Sequence, residues 1–124
     1  MKQPAAIRIF ESLASELRLE VFRLLVQRAP QGMVAGEIAA ALEIPPANLS
    51  FHLKALTQAH LLTVTPEGRF QRYRADIAVM LDLISYLTAE CCSGRPEQCM
   101  TVPTAAPCAE ARLSTPAAKK KAAS

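Results

Sequence analysis

The sequence predicts a mainly α chain with one β-hairpin, an α+β fold. Three observations predict it. Apolar residues recur at helical spacing up to His60, the period switches to two between Leu62 and Arg74, and helical spacing returns from Ile77. The 124 residues are one domain's worth, since a domain usually takes about 100–200. The apolar runs Val21–Phe22, Leu24–Val26, Met33–Ala35 and Ile77–Leu81 fall far short of the ~20 residues a membrane span needs. Met1–Gln3 does not lead into an apolar leader core, so a cytoplasmic location is expected.

The elements follow in order. Residues 5–14 carry apolar side chains at helical spacing and read as a first helix. Ser15 is a suitable N-cap for a second helix bearing Leu17, Val21, Phe22, Leu24, Leu25 and Val26, which Pro30 and Gly32 end. A short third helix fits Val34–Leu42, with Ile38, Ala41 and Leu42 inward. Pro46 suits the first turn of a fourth helix, where a missing N–H costs nothing. In that helix Leu49, Leu53 and Leu56 make one buried stripe, so Asn48, Ser50, Phe51 and Lys54 project elsewhere.

Beyond His60, Leu62 and Val64 and then Phe70, Arg72 and Arg74 alternate around Thr65-Pro66-Glu67-Gly68-Arg69, the pattern of a hairpin. Asp76 caps a last helix running from Ile77 to about Glu90, ended by Gly94 and Pro96. Ile77, Met80, Leu81 and Ile84 form one apolar face of it, and Val79, Leu83, Tyr86 and Leu87 widen that face. A domain this small can bury one face against itself, so the remainder is expected to meet a second subunit. From Val102 onward Pro, Ala, Thr, Ser and a lysine run predict a disordered tail.

Charge is uneven along the chain. Residues 1–44 balance, 45–75 carry a net +3, 76–100 a net −3 and the tail a net +3. A basic stretch between balanced and acidic ones suits a polyanion-binding surface, although ordinary surface charge can produce the same asymmetry. A helix with small polar residues exposed fits the DNA major groove, where Asn and Ser can bond base edges or phosphates. A hairpin carrying Arg69, Arg72 and Arg74 can neutralise phosphates along the backbone or in the minor groove. The order of elements is therefore that of a winged helix-turn-helix, and pairing two copies would read a palindrome. Neither an acid–base pair, a phosphate loop nor a nucleophile with a partner is evident, so the chain reads as a binder rather than an enzyme.

The run LASELRLEVFRLLV, followed by GEIAAALEIPPANLSFHLKALTQAHLLTVTPEGRFQRYR, resembles the ArsR/SmtB family of metal- and metalloid-responsive repressors over roughly residues 8–92. The resemblance is most specific in LSFHLKAL and LLTVTPEGRFQRYR, which are similar to that family's recognition helix and wing. It implies a homodimer joined through the first and last helices and bound to double-stranded operator DNA. It also implies that Asn48, Ser50 and Phe51 face the groove while Lys54, Arg69, Gln71 and Arg72 contact the backbone. His52 matches a family histidine, read as a packing and hydrogen-bonding residue. His60 stands where relatives usually have glycine, and is read as a helix cap. Val34 and Gly36 stand where many relatives carry a pair of cysteines, and the last helix lacks the Asp/His pairs relatives use for zinc.

Four cysteines remain: Cys91, Cys92, Cys99 and Cys108. In a reducing compartment such thiols point to metal or redox chemistry rather than structural disulfides. The loop after Cys92 could fold Cys99 back to complete a trio. Three soft thiolates suit a thiophilic ion. As(III) or Sb(III), which form pyramidal three-thiolate complexes, are the expected inducers, and some ArsR relatives are similar here. Alternatives stay open: an organoarsenical needing two thiols, zinc with Cys108 as a fourth ligand, another soft metal, or thiol oxidation. The expected organisation is a DNA-binding and dimerisation domain at 1–92, a metalloid-binding segment at 91–101 and the tail at 102–124.

Overall fold

Pro4 and the N-cap Lys2 start α1 (Gln3–Leu13), which buries Ala6, Ile9 and Ser12. The computed structural model describes residues 1–94 and divides them into one compact unit, Met1–Leu83, and a segment beginning at Ile84. Cys99 and Cys108, the predicted metalloid loop beyond Gly94 and the predicted tail lie outside the described residues.

Ser15 caps α2 (Glu16–Gln27) as expected, its Oγ accepting from the Arg18 N–H at 3.4 Å. Of the six apolar positions expected on this helix, Val21, Phe22 and Leu25 are buried, whereas Val26 is exposed. The third helix begins one residue later than its pattern suggests. Met33–Val34 form a short strand, β1, and α3 covers Ala35–Leu42. The Val34 N–H donates to Glu37 Oε1 at 3.1 Å, so this side chain tethers the helix start. Its inner side consists of Ile38 and Ala39; Ala41 is exposed and Leu42 half-buried, a rotation of the expected face.

Helix α4 (Pro46–Gln58) has Pro46 in its first turn and buries Leu49, Leu53 and Leu56, as the spacing requires. Its end is a Schellman motif: the His60 N–H donates to the Thr57 carbonyl and the Leu61 N–H to the Leu56 carbonyl, both at 3.0 Å. His60 takes the left-handed φ of +66° that this motif needs, fulfilling the cap predicted for it.

Strands β2 (Leu62–Glu67) and β3 (Phe70–Ala75) form the hairpin, and the antiparallel sheet has the order β1-β3-β2. Register runs from Leu62 opposite Ala75 to Glu67 opposite Phe70, leaving Gly68 and Arg69 as a two-residue loop. Gly68 has φ +63°, a backbone state glycine enters without steric cost. The strand continues through Pro66, where the sequence pattern places the turn. Because β2 is an edge strand, its proline can face outward without removing a ladder bond.

The β1 strand pairs Met33 with Tyr73 and Val34 with Arg72. It enters through Gly32, whose φ is +77°. A Cβ there would run into the Tyr73 carbonyl oxygen and the Arg74 side chain. The core of this unit consists of Ile9, Val21, Leu25, Ile38, Leu49, Leu53, Leu56 and Leu61, all almost completely buried.

Asp76 Oδ1 accepts from the Val79 N–H at 3.3 Å and caps α5 (Ile77–Leu87), as predicted. The helix stops three residues short of Glu90. The Thr88 hydroxyl bonds back to the Ile84 carbonyl at 2.8 Å, a local bond that competes with continuing the helix. A helical turn, Cys91–Gly94, follows, in which Cys92, Ser93 and Gly94 have left-handed backbone.

Candidate nucleic-acid interface and thiol pair

The leucine stripe decides which side chains of α4 stay available. With Leu49, Leu53 and Leu56 inward, Asn48, Ser50, Phe51 and Lys54 are all exposed, Phe51 at 65%. Leaving so large an aromatic in water forgoes burial worth about 1.5–3 kcal/mol, which suggests a use for it.

Phe51 is nevertheless held in place. The Arg18 guanidinium carbon lies 5.5 Å from its ring centroid, within cation–π range. Arg18 Nε donates to His52 Nδ1 at 3.1 Å, and the Phe51 and His52 rings meet edge to face at 5.5 Å. His52 thus packs and bonds as the sequence suggests. Arg18 was not among the expected site residues, because it is 34 positions from His52 and no local spacing links the two.

The hairpin holds its arginines differently. Arg69 stands exposed in the loop beside Phe70, which is 60% exposed. Arg72 is committed to the fold: its Nε donates to Glu67 Oε2 at 2.7 Å and its Nη1 to the Gly32 carbonyl at 3.3 Å. The pair favours both charged forms, holding the Glu67 carboxyl below its ordinary value and raising Arg72. Arg74 donates to the Pro30 carbonyl at 3.2 Å and to Thr65 Oγ1 at 3.0 Å. Gln71 is exposed and accepts from the Tyr73 hydroxyl at 3.3 Å. Two of the three arginines expected to meet phosphates therefore also fasten the hairpin to the segment around Pro30–Gly32.

A helix-turn-helix domain model matches residues 13–65, the stretch from the end of α1 into β2. This is a winged helix-turn-helix domain. Among solved structures, the winged helix-turn-helix here is similar to the ArsR-like transcriptional regulator from Rhodococcus sp. RHA1, with 22% identity over 77% of this chain and 86% of that one, at a TM-score of 0.62. It is also similar to HlyU from Vibrio cholerae, with 24% identity over 70% of this chain and 97% of the other, at 0.56. A third is the homodimeric domain Mb0332 from Mycobacterium bovis, a possible ArsR-family regulator, with 28% identity over 70% and 81% and a TM-score of 0.56. No curated protein matches the chain by sequence. In DNA-bound helix-turn-helix domains the second helix lies in the major groove, and α4 holds the corresponding place in the order of elements.

In the segment beginning at Ile84, the Sγ atoms of Cys91 and Cys92 are 3.5 Å apart. That is well beyond a disulfide bond of about 2.05 Å. Cys92 is exposed and Cys91 half-buried. Among the described residues no group of three His, Cys, Asp or Glu side chains converges; Cys99, the predicted third ligand, falls outside them. No helix among the described residues is long and apolar enough to cross a membrane.

Proposed function

We propose that the chain is a homodimeric transcriptional repressor of the ArsR/SmtB kind, which holds operator DNA through α4 and the β2–β3 wing and releases it when trivalent arsenic or antimony binds the thiols after α5. The observation that carries the DNA half is the pairing of an inward leucine stripe on α4 with exposed Asn48, Ser50, Phe51 and Lys54. Asn48, Ser50 and Phe51 read the groove. Lys54, Arg69, Gln71 and Arg72 meet phosphates, which position the protein without carrying sequence information. The solved neighbours are regulators, which favours this role over an enzymatic one, and a DNA partner fits a cytoplasmic protein.

Dimerisation is proposed through α1, where Ile7 and Phe10 are exposed, and through α5, where Ile84 and Leu87 are. Mb0332, a homodimeric neighbour, supports pairing of two copies without indicating the helices used. A twofold reader addresses half-sites about 34 Å apart along the duplex.

The spacing of Cys91 and Cys92 supports the metalloid half. Two thiolates bound to one ion at about 2.3 Å, with an angle near 100° between the bonds, stand roughly 3.5 Å apart. Bare thiolates select a soft ion, and Cys99 is the proposed third donor. The same pair would suffice for an organoarsenical, which needs two sulfurs. Bound metalloid acts only through its different affinity for the DNA-competent and DNA-released states.

The test is fluorescence anisotropy on duplex DNA from the region upstream of the chain's own reading frame, with arsenite titrated in. Release from DNA that is lost in Cys91→Ser supports the reading. Unchanged affinity in the wild type sinks the metalloid half while leaving the DNA half standing.

A further inference from the structure

We propose that the cleft between α1 and the C-terminal half of α4 is an effector site for a small carboxylate that also carries a hydroxyl or ammonium group. The cleft has a volume of about 500 Å³ and is lined by Arg8, Glu11, Ser12, Arg18, Gln58 and the alanines of α4 beside them. That size falls in the usual range of about 300–1,000 Å³ for small-molecule sites.

The lining has the chemistry of a polar ligand's complement. Among the described residues no ion pair within 4 Å joins Arg8, Glu11 or Arg18 to any partner. Two guanidinium groups therefore give onto one concavity beside Glu11, and the Glu11 carboxylate is within ion-pair distance of neither. Arginine's planar fork suits a carboxylate bound through two parallel hydrogen bonds. Arg18 uses Nε on His52, which leaves its two terminal nitrogens for such a bond. Glu11 would accept a hydrogen bond from the ligand's ammonium or hydroxyl group, and Gln58 can donate or accept. Ser12, at 7% exposure, is a polar side chain buried against this cleft.

Two placements separate this cleft from the surfaces already described. Arg8 and Ser12 lie one turn apart on a side of α1 different from that of the exposed Ile7 and Phe10. On α4, Ala55 and Gln58 follow Phe51 at i+4 and i+7, so the cleft continues the Phe51 side of the helix away from its groove-reading N-terminal turns. Arg18 connects the two, since one guanidinium lines the cleft, bonds His52 and covers Phe51. A bound carboxylate neutralises that guanidinium and brings negative charge beside the helix that faces DNA phosphates. Ligand and DNA then oppose each other, and each weakens the other by the same factor.

The experiment uses the full chain. Malate and glutamate serve as probes, with sodium chloride at matched ionic strength as the control. Heteronuclear NMR follows Arg8, Ser12, Arg18 and Gln58, and anisotropy follows duplex DNA binding. The expected result is saturable shifts at those residues with at least one probe, together with a loss of DNA affinity of about fivefold or more. Arg8→Gln, at an exposed position outside the groove-reading set, is expected to abolish both effects while leaving DNA affinity without probe unchanged. Absence of saturable shifts with both probes overturns the proposal, as do shifts reproduced by chloride. If Arg8→Gln itself weakens DNA binding and lowers its salt dependence, the cleft is a DNA phosphate contact and the proposal is wrong. The NMR arm does not involve DNA, so its failure is distinguishable from failure of the repressor reading.

Discussion

Helix α4 and the β2–β3 hairpin both present polar faces, yet they are held by opposite means. Three buried leucines fix α4 from behind, and on its outward side Phe51 and His52 are held by Arg18. The hairpin has little behind it: from Thr63 to Gln71 every residue is exposed. It is fastened instead by side chains, Arg72 to Glu67 and the Gly32 carbonyl, Arg74 to the Pro30 carbonyl and Thr65. On the proposed function, reading and folding thus fall to different residues in the helix, and to partly the same residues in the wing. Substitutions at polar positions should separate the two functions in α4 and mix them in the hairpin.

The largest expected effect breaks the helix from behind. Leu53→Ala should cost about 2–5 kcal/mol by leaving a cavity under α4, seen as a lowered denaturant midpoint with loss of DNA binding. If stability were unchanged, the stripe would not be what holds α4. Next comes Gly32→Ala, which forces a side chain onto the Tyr73 carbonyl at φ +77°. A loss of more than about 1 kcal/mol is expected, with hydrogen exchange quickening first in β1 and β3. Retained protection of those strands would show that β1 does not anchor the wing.

The comparison is sharpest within the hairpin. Arg69→Ala should leave the melting temperature unchanged while lowering the slope of log affinity against log salt by about one. Arg72→Ala should lower both the salt slope and the melting temperature, because it also loses Glu67 and Gly32. Identical behaviour of the two variants would erase the distinction between a tip charge and an anchoring one.

The smallest effect is in pH. Glu67 is held below its ordinary pKa of 4.5 by the hydrogen bond from Arg72. A depressed folded-state pKa contributes stability above the unfolded-state value, and this is lost as pH falls through the folded-state value. Glu67→Gln should flatten that acid limb slightly below about pH 4.5 in a melting-temperature profile, with little change at neutral pH. The effect is small because the pair is solvent-exposed.

Much of the fold was legible because local chemistry dictates it. Ser15, Pro46, His60, Gly68 and Asp76 each sit at an end or turn where backbone groups need a partner or a special φ, and the i, i+4, i+7 leucines of α4 permit one buried face. Where the sequence pattern erred, a distant partner was responsible. Val34 read as a helix start because a two-residue strand has no periodicity of its own; its partner, Arg72, is 38 residues away on β3. Pro66 read as a turn because its tolerance depends on β2 lying at the sheet edge. The outward set of α4 followed from its inward stripe, but the commitment of Arg72 and Arg74 to Gly32 and Pro30 did not.

The order of elements, the caps, the buried face of α4 and the adjacency of two thiols are properties of neighbours in sequence, set by backbone hydrogen bonding and helical periodicity. Tertiary structure alone decided that Arg18 meets His52 and Phe51, that Gly32 must lack a side chain beneath β3, and that α1 and α4 leave a basic cleft between them. Those depend on which surfaces meet once the leucine, isoleucine and valine side chains leave water, and that choice is made by the whole core at once.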